Sequence, residues 1–363
     1  MNPIRVLIVD DSAVVREMIT SVLSADPKIR VIGAAPDPIF AMERMSREWP
    51  DVIVLDIEMP RMDGLTFLRK IMSERPTPVV MCSTLSQKGA EVSLRALSYG
   101  AIACVGKPKD VRSRFREDAA GDLITQVKAA ALARFREPPR PIEPEPRAQP
   151  PVAAPGQRSL APAVPIAKKV GRPTNQGHII AIGASTGGTQ ALEAVLTRLP
   201  ENAPPIVIVQ HMPEHFTAAF AKRLNGLCAI EVLEARNGEE IVSGRALIAP
   251  GGKQMSVRRS GLGFAVEVMN GPYINRHRPS VDFLFRSVAA NVGAKAVGII
   301  MTGMGNDGAA GLLKIHQAGG ITIGQNEISC VVYGMPKEAF RMGAVQSEVD
   351  LSRIPDEIQS FIR

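Results

Sequence analysis

A short glycine-rich segment carrying one serine, 183–188, has the residue types of a nucleophile site. It reads Gly-Ala-Ser-Thr-Gly-Gly, follows the apolar run 178–182 and precedes a helical pattern that extends to Leu199. A buried strand, a glycine turn and a helix leave the serine hydroxyl exposed at the carboxyl end of the strand, as in the G-x-S-x-G elbow. Free N–H groups at the helix start can stabilise an oxyanion. The segment therefore predicts acyl transfer with Ser185 as the nucleophile.

Two other interpretations fit the same segment. The turn can be purely structural, and a dinucleotide site is the second option. The glycine spacing is not G-x-G-x-x-G, however, and the next strand pattern, 206–210, ends in Gln210-His211 instead of the acid that would bind a ribose. The nucleophile is favoured, provided that the chain supplies a base and an acid.

The choice of general base is narrow, because the sequence contains only five histidines. His211 follows the strand pattern 206–210, which should pair beside the strand that carries Ser185, so both side chains are expected at one sheet edge. Of the other histidines, His178 lies at the far end of the serine strand and His316 lies inside a helical pattern. His215 and His277 are on loops or helix starts.

A zinc site competes for the same histidine. The run His211-Met-Pro-Glu-His215 matches H-x-x-E-H, but that signature requires one continuous helix, on which residues four apart share a face. Here a strand runs into His211, and Pro213 prevents a helix from including it. The match is interpreted as fortuitous.

The acid that orients the base is predicted to be Asp307. It follows the apolar run 297–301 and a glycine turn, and it is the only aspartate of the second half expected at the carboxyl end of a strand. Ser185, His211 and Asp307 then form a triad in an order that differs from the Ser, Asp, His order of α/β-hydrolases. The glycines before Asp307 could present backbone N–H groups to an oxyanion.

The first half of the chain has five strand patterns, each followed by a helical pattern, which predicts a doubly wound parallel sheet. Polar residues stand where these strands end: Asp10, Asp11, Asp56, Thr84 and Lys107. Three carboxylates at one sheet edge repel each other unless a divalent cation lies among them, and oxygen ligands suit Mg²⁺. A carboxylate beside the metal can accept a phosphoryl group, and Lys107 and Thr84 can hold the phosphate oxygens.

Over residues 4 to 125 the chain resembles a two-component receiver domain. The matching motifs are the acidic pair, Val-Leu-Asp-Ile-Glu-Met-Pro around Asp56, the following Asp-Gly, Thr84 and Lys107-Pro. The resemblance implies that Asp56 accepts phosphate from a histidine kinase, with Mg²⁺ held by Asp10, Asp11, Asp56 and the backbone of Glu58. The chain departs from the pattern three residues before the lysine, where receivers usually carry Tyr or Phe and this sequence has Cys104.

From about residue 177 the chain resembles the catalytic domain of the chemotaxis protein-glutamate methylesterases. The matching motifs are Gly-Ala-Ser-Thr-Gly-Gly, Gln-His-Met-Pro, His-Arg-Pro-Ser-Val-Asp and Thr-Gly-Met-Gly-Asn-Asp-Gly. The resemblance implies γ-glutamyl methyl esters of chemoreceptors as substrates, and glutamine deamidation in related enzymes. It implies the same triad, Ser185, His211 and Asp307. It also implies oxyanion and substrate contacts from three further residues: Thr186 near the histidine, the Met304 backbone, and the loop of Arg278.

We therefore expect a receiver domain at 1–125, a Pro/Ala-rich linker at 126–176 and a Rossmann-like methylesterase domain at 177–363, both domains being doubly wound α/β folds.

The net charge of +7 derives in part from the proline-rich stretch, so no nucleic-acid partner is expected. The four cysteines are far apart and no signal peptide or apolar run of 18 residues is visible, which predicts a cytoplasmic chain without membrane insertion. We expect a monomer and no esterase cofactor. The alternative is a response regulator whose output domain binds a partner without catalysis.

Overall fold

A computed structural model describes residues 2–59, 61–83, 87–107, 117–133, 177–214 and 216–362. It contains two parallel sheets, each with helices on both faces, which confirms the predicted α/β fold class. Thr84, His215 and most of the expected linker, from residue 134, lie outside the described residues.

The first sheet has five parallel strands in the order β2-β1-β3-β4-β5. Its strands are β1 (Ile4–Val9), β2 (Ile29–Ala35), β3 (Val52–Asp56), β4 (Val79–Ser83) and β5 (Ala103–Gly106). Its helices are α1 (Ala13–Ser24), α2 (Pro38–Arg47), α3 (Gly64–Glu74), α4 (Gln87–Ser98) and α5 (Glu117–Ala131). Helix α5 continues past residue 125, and the domain boundaries stay a prediction.

Alternating side chains of the first sheet fill two cores, as the period of a strand requires. In β1, Val6 and Ile8 pack with α1 and α5, whereas Leu7 and Val9 pack with α2, α3 and α4. Because both faces are covered, the strands read as continuous apolar runs, and their polar residues are left to the carboxyl ends.

The second sheet has seven parallel strands in the order β14-β13-β12-β6-β7-β9-β8, and a separate antiparallel hairpin joins β10 to β11. The strands are β6 (Ile179–Ala184), β7 (Ile206–Gln210), β8 (Glu231–Glu234), β9 (Arg245–Ile248), β10 (Gln254–Ser260), β11 (Gly263–Met269), β12 (Ala296–Ile300), β13 (Ile321–Gln325) and β14 (Ser347–Val349). The helices are α6 (Gly188–Leu196), α7 (Phe216–Leu227), α8 (Val281–Val292), α9 (Ala309–Gln317), α10 (Met335–Arg341) and α11 (Ile354–Gln359). Strands β12, β6 and β7 are neighbours, so their carboxyl ends meet.

The two sheets are packed together through helices, and one apolar core cluster includes residues of both. Helix α4 lies against α6 and α7. The side chain of Gln190, on α6, donates two hydrogen bonds of 3.0 Å to the carbonyls of Leu97 and Ala101. An exposed ion pair, Lys222 with Glu91, lies at the edge of the same contact with 3.9 Å between its charged atoms.

Among the described residues, no helix is both long and apolar enough to cross a lipid bilayer.

Candidate active site

Ser185 lies in the turn between β6 and α6 and is 5% exposed. The turn is tight, since the Gly188 N–H donates to the Ser185 carbonyl at 2.7 Å. Gly187 has a φ of 78°, and a Cβ at Gly188 would stand 2.1 Å from the side-chain oxygen of Gln210. The glycines that follow the serine are therefore required by backbone conformation and by close packing.

His211 is placed beside this turn by the pairing of β6 with β7. Its N–H donates to the Ala184 carbonyl at 3.0 Å, and the Gln210 side chain donates to the Ser185 carbonyl at 2.9 Å. These bonds join the carboxyl ends of the two strands immediately at the serine.

Asp307 lies in the turn between β12 and α9 and is 2% exposed. His211 Nε2 lies 2.8 Å from Asp307 Oδ2. The carboxylate also accepts hydrogen bonds of 2.8 Å from Asn275 Nδ2 and Ser280 Oγ, and of 2.7 Å from the Val281 N–H. Ser280 caps α8, so Asp307 binds the amino terminus of that helix, where the helix dipole favours negative charge.

These contacts keep Asp307 ionised. Burial alone would raise the pKa of this carboxyl, but the hydrogen bond and positive charge of His211, with the bonds from Asn275 and Ser280, hold the pKa well below its usual range. An ionised carboxylate only accepts hydrogen bonds, so the proton between the two residues belongs to His211 Nε2. In this pair of side chains His211 is thus the N–H donor and Asp307 is the anion that is held in place.

The other ring nitrogen of His211, Nδ1, is buried and has no hydrogen-bond partner among the described residues. Because Nε2 carries the proton, a neutral imidazole leaves Nδ1 as the acceptor. The His211 nitrogen left to accept a proton is therefore Nδ1, whereas serine proteases use Nε2 for the serine and Nδ1 for the aspartate.

A second histidine, His277, stacks on His211 with ring centroids 3.7 Å apart and the planes 10° from parallel. It belongs to the segment that also carries Arg278, whose guanidinium donates to the Gly271 carbonyl at 3.0 Å and covers the ring of Tyr273 at 4.5 Å. Arg278 is thus held within its own loop, next to the stacked histidine. Neither this stacking nor the roles of Asn275 and Ser280 at Asp307 could be found from spacing in the sequence.

The loop after β12 passes directly behind the serine. A Cβ at Gly303 would lie 2.6 Å from the Ser185 Cβ, so only glycine allows this approach. The Gly303 N–H donates to Val332 at 3.0 Å, while the N–H of the next residue, Met304, donates to no backbone carbonyl of the described chain. The Met304 N–H thus has no backbone acceptor in the described chain and follows directly on the glycine that approaches Ser185.

Thr186 follows the nucleophile position and is 4% exposed. Its carbonyl accepts a 3.0 Å hydrogen bond from Thr302 Oγ1, and its own hydroxyl donates to the Gln126 side chain at 3.0 Å. Gln126 lies on α5, one of the helices that cover the first sheet. The structure thus brings the receiver-like half into contact with the serine turn, which the sequence did not reveal.

A carboxylate of α5, Asp122, lies close enough to His211 for their charges to interact. Burial raises the pKa of Asp122, while the hydrogen bond from Gln126 and the charge of His211 act in the opposite direction. Helix α5 of the first half therefore carries a desolvated acid within electrostatic range of His211.

The acidic cluster predicted for the first sheet is present at its carboxyl edge. Oxygen atoms of Asp10, Asp11 and Asp56 lie within 4.8 Å of one another, a spacing that one cation with oxygen ligands fits. Lys107 Nζ lies 2.8 Å from Asp10 and 2.7 Å from Asp56. Glu58 is exposed in the loop after β3. Thr84 is outside the described residues.

Burial raises the pKa of Asp56 to about 6, with the negative charge of Asp10 acting in the same direction and Lys107 opposing it. A divalent cation would relieve both the burial cost and the repulsion. Cys104, at the position where an aromatic residue is usual in receivers, directs its thiol at the Ser93 carbonyl, 3.6 Å away. Burial raises the pKa of this thiol to about 12, so it stays protonated.

Both halves of the chain are similar to known proteins. Residues 180–358 match the model of the CheB methylesterase family, and residues 6–115 match the response regulator receiver domain. A protein-glutamate methylesterase/protein-glutamine glutaminase of Hahella chejuensis is 60% identical over 97% of this chain and 94% of its own length. Another from Pseudomonas savastanoi pv. phaseolicola is 57% identical over 98% of each chain.

Among solved structures, the Thermotoga maritima CheB methylesterase catalytic domain has a TM-score of 0.50 and is 36% identical, covering 51% of this chain and 98% of that domain. The similarity to the curated relatives extends over both domains and nearly the full length. The chain belongs to the CheB family of protein-glutamate methylesterases/protein-glutamine glutaminases, with a receiver domain preceding the methylesterase domain.

Proposed function

We propose that this chain hydrolyses glutamate methyl esters on chemoreceptors and deamidates receptor glutamines, using Ser185, His211 and Asp307. The observation that carries the proposal is the meeting of three different residue types at the carboxyl ends of the adjacent strands β6, β7 and β12, with 2.8 Å between His211 Nε2 and Asp307 Oδ2. The relatives' names supply the substrate class. Ester hydrolysis and amide hydrolysis are the same acyl transfer with different leaving groups.

The reaction begins with attack of Ser185 Oγ on the γ-carbonyl carbon, while the hydroxyl proton passes to His211 Nδ1. Asp307 holds the Nε2 proton and stabilises the imidazolium that forms. When the tetrahedral intermediate collapses, the bond to the leaving group breaks and His211 returns its proton, so that methanol or ammonia departs. Water then attacks the acyl-serine with His211 again as base, and the product is a glutamate carboxylate on the receptor.

The negative oxygen of the intermediate needs preorganised donors. The N–H of Met304 supports this role, because it lies on the loop that approaches Ser185 and has no backbone acceptor in the described chain. The Thr186 N–H, at the start of the turn into α6, is the second candidate. Both belong to backbone held by close glycine packing, which keeps the donors in place before the substrate arrives.

In the receiver domain, Asp56 is proposed to accept a phosphoryl group from a histidine kinase. Asp10, Asp11 and Asp56 with the Glu58 backbone would hold Mg²⁺, which supplies charge neutralisation for the transfer. Lys107, within 2.8 Å of Asp10 and 2.7 Å of Asp56, and Thr84 are proposed to bind the phosphate oxygens. Burial raises the pKa of Asp56, with the negative charge of Asp10 acting in the same direction, and this supports a site that is stabilised by added positive charge.

We further propose that the unphosphorylated receiver covers the esterase cleft. The contact of Gln126 with Thr186 and the proximity of Asp122 to His211 support this arrangement, because helix α5 then lies where a receptor helix must bind. Contact areas between domains in one chain are modest, and a shift of about 1–3 kcal/mol is enough to change the populated state. Phosphorylation of Asp56 would shift the balance towards the open state.

The test is methanol release from methylated receptors by wild type and Ser185→Ala, with and without a small phosphodonor. Release that disappears in the variant and rises with phosphodonor is expected. Release that survives in Ser185→Ala would overturn the triad. No release by wild type would instead favour a response regulator with a binding output. Deletion of residues 1–140 is expected to raise the rate, and an unchanged rate would overturn occlusion by the receiver.

A further inference from the structure

The ring of the proposed base has few polar constraints. His211 makes a single side-chain hydrogen bond in the described chain, from Nε2 to Asp307, while Nδ1 has no partner. One hydrogen bond fixes a direction but does not by itself fix the plane of the imidazole. Accepting a proton from Ser185 requires that the ring plane be fixed as well, because proton transfer depends on the alignment of donor and acceptor.

His277 supplies that second constraint. Its ring lies parallel to that of His211, with 3.7 Å between the centroids and 10° between the planes. A flat ring at this separation blocks rotation of His211 out of its plane and excludes water from one of its faces.

The segment that holds His277 is itself firmly tied. Ile274 and His277 exchange backbone hydrogen bonds of 2.8 and 3.1 Å across a two-residue turn whose central residues, Asn275 and Arg276, have φ values of 51° and 67°. Two left-handed residues in succession make a tight primed turn. The buried side chain of Gln254 donates to the His277 carbonyl at 3.2 Å.

Asn275 anchors this turn to the triad. Its Nδ2 lies 2.8 Å from Asp307 Oδ1 and 2.8 Å from Asp282 Oδ2, so one amide group joins two buried carboxylates. The turn that delivers His277 to one face of His211 thus also fixes the acid that binds the edge of the same ring.

His277 remains uncharged under working conditions. Burial, together with the positive charge of His211, lowers its pKa to about 3 despite the opposing charge of Asp307. An uncharged ring can stay stacked when His211 becomes an imidazolium, whereas a protonated His277 would repel it.

We propose that His277 is a positioning residue for the esterase reaction, whose stacked ring holds the His211 imidazole with Nε2 on Asp307 and Nδ1 free for the Ser185 proton. This inference rests on the proposed function, because it assigns a role within that reaction. The part of His277 that matters is its flat ring and not its nitrogens.

The test compares His277→Ala, which removes the ring, with His277→Phe, which retains a flat ring without nitrogens. Arg276→Gly is the matched control, since it changes the exposed neighbour in the same turn and relieves its left-handed strain. Full-length protein with saturating phosphodonor is assayed for methanol release. Labelling of Ser185 by a small serine-directed phosphonate, which needs no receptor, is measured in parallel.

We expect His277→Ala to lower kcat and the labelling rate by about 10–100-fold with little change in KM, as for loss of alignment. His277→Phe should stay within about threefold of wild type, and Arg276→Gly should match it. In addition, ¹⁵N NMR of His211 should show the Nε2–H form in wild type and a mixture of tautomers in His277→Ala. Thermal unfolding shows whether each variant folds. If His277→Ala does not fold, the test rests on the comparison of His277→Phe with wild type.

Unchanged kcat and labelling in folded His277→Ala would overturn the proposal. His277→Phe as slow as His277→Ala would also overturn it, since a nitrogen of His277 would then take part in the chemistry. If wild type releases no methanol but Ser185 labelling still depends on the ring at 277, the substrate assignment fails while the positioning role stands.

Discussion

The contact between the domains gives a quantitative prediction for Gln190→Ala. This change removes two hydrogen bonds of 3.0 Å, to the carbonyls of Leu97 and Ala101, that exist only while α6 lies against the receiver. Each such bond contributes about 1 kcal/mol net, so the closed arrangement should lose about 2 kcal/mol. Because 1.4 kcal/mol is a tenfold change in an equilibrium constant, closing should weaken about 30-fold.

The assay is methanol release from methylated receptor membranes without phosphodonor, where Gln190→Ala should be faster than wild type by up to about 30-fold. Release with saturating phosphodonor sets the ceiling, and there the two proteins should agree. Lys222→Ala is the matched control at the same contact, because its ion pair with Glu91 spans 3.9 Å and is exposed, and such pairs contribute little. An unchanged unphosphorylated rate in Gln190→Ala, with a normal phosphodonor response, would refute the reasoning that this contact limits activity.

Three further predictions concern the two sites. Burial raises the pKa of Asp122 in the closed state, so closing binds protons, is favoured at low pH and weakens as the pH rises through that raised pKa. The ratio of the unphosphorylated to the phosphorylated rate of methanol release should therefore rise with pH. The Asp122→Asn variant should favour the closed state and should lose this rise with pH. The pKa of about 6 at Asp56 means that Mg²⁺ binding should release protons near pH 6 in calorimetry, and Asp56→Asn should abolish the release; proton release that persists in the variant would assign it elsewhere. In Gly303→Ala the new Cβ would lie 2.6 Å from the Ser185 Cβ, so the loop must move. The kcat of the phosphodonor-activated enzyme should therefore fall about 100-fold. A normal kcat would show that the loop position is not critical.

The fold class, and the gathering of the candidate site residues at the carboxyl ends of strands, could be predicted from the sequence, because the signals involved are local. Apolar runs that end in a glycine turn or a carboxylate mark the carboxyl ends of parallel strands, and the topology of doubly wound sheets brings such ends together. Ser185, His211 and Asp307 each follow a strand directly, and β6, β7 and β12 are neighbours in the sheet. The carboxylates of Asp10, Asp11 and Asp56 likewise end or follow strands and lie together at the edge of the first sheet.

Only the tertiary structure decided how these residues are oriented and what surrounds them. Three contacts join segments distant in the sequence: His211 Nε2 with Asp307, the amino terminus of α8 with Asp307, and the ring of His277 with that of His211. The approach of Asp122 to His211 likewise depends on packing between two domains. No periodicity or spacing encodes such contacts, because they arise from side chains of separate elements that share space only after the sheets have formed.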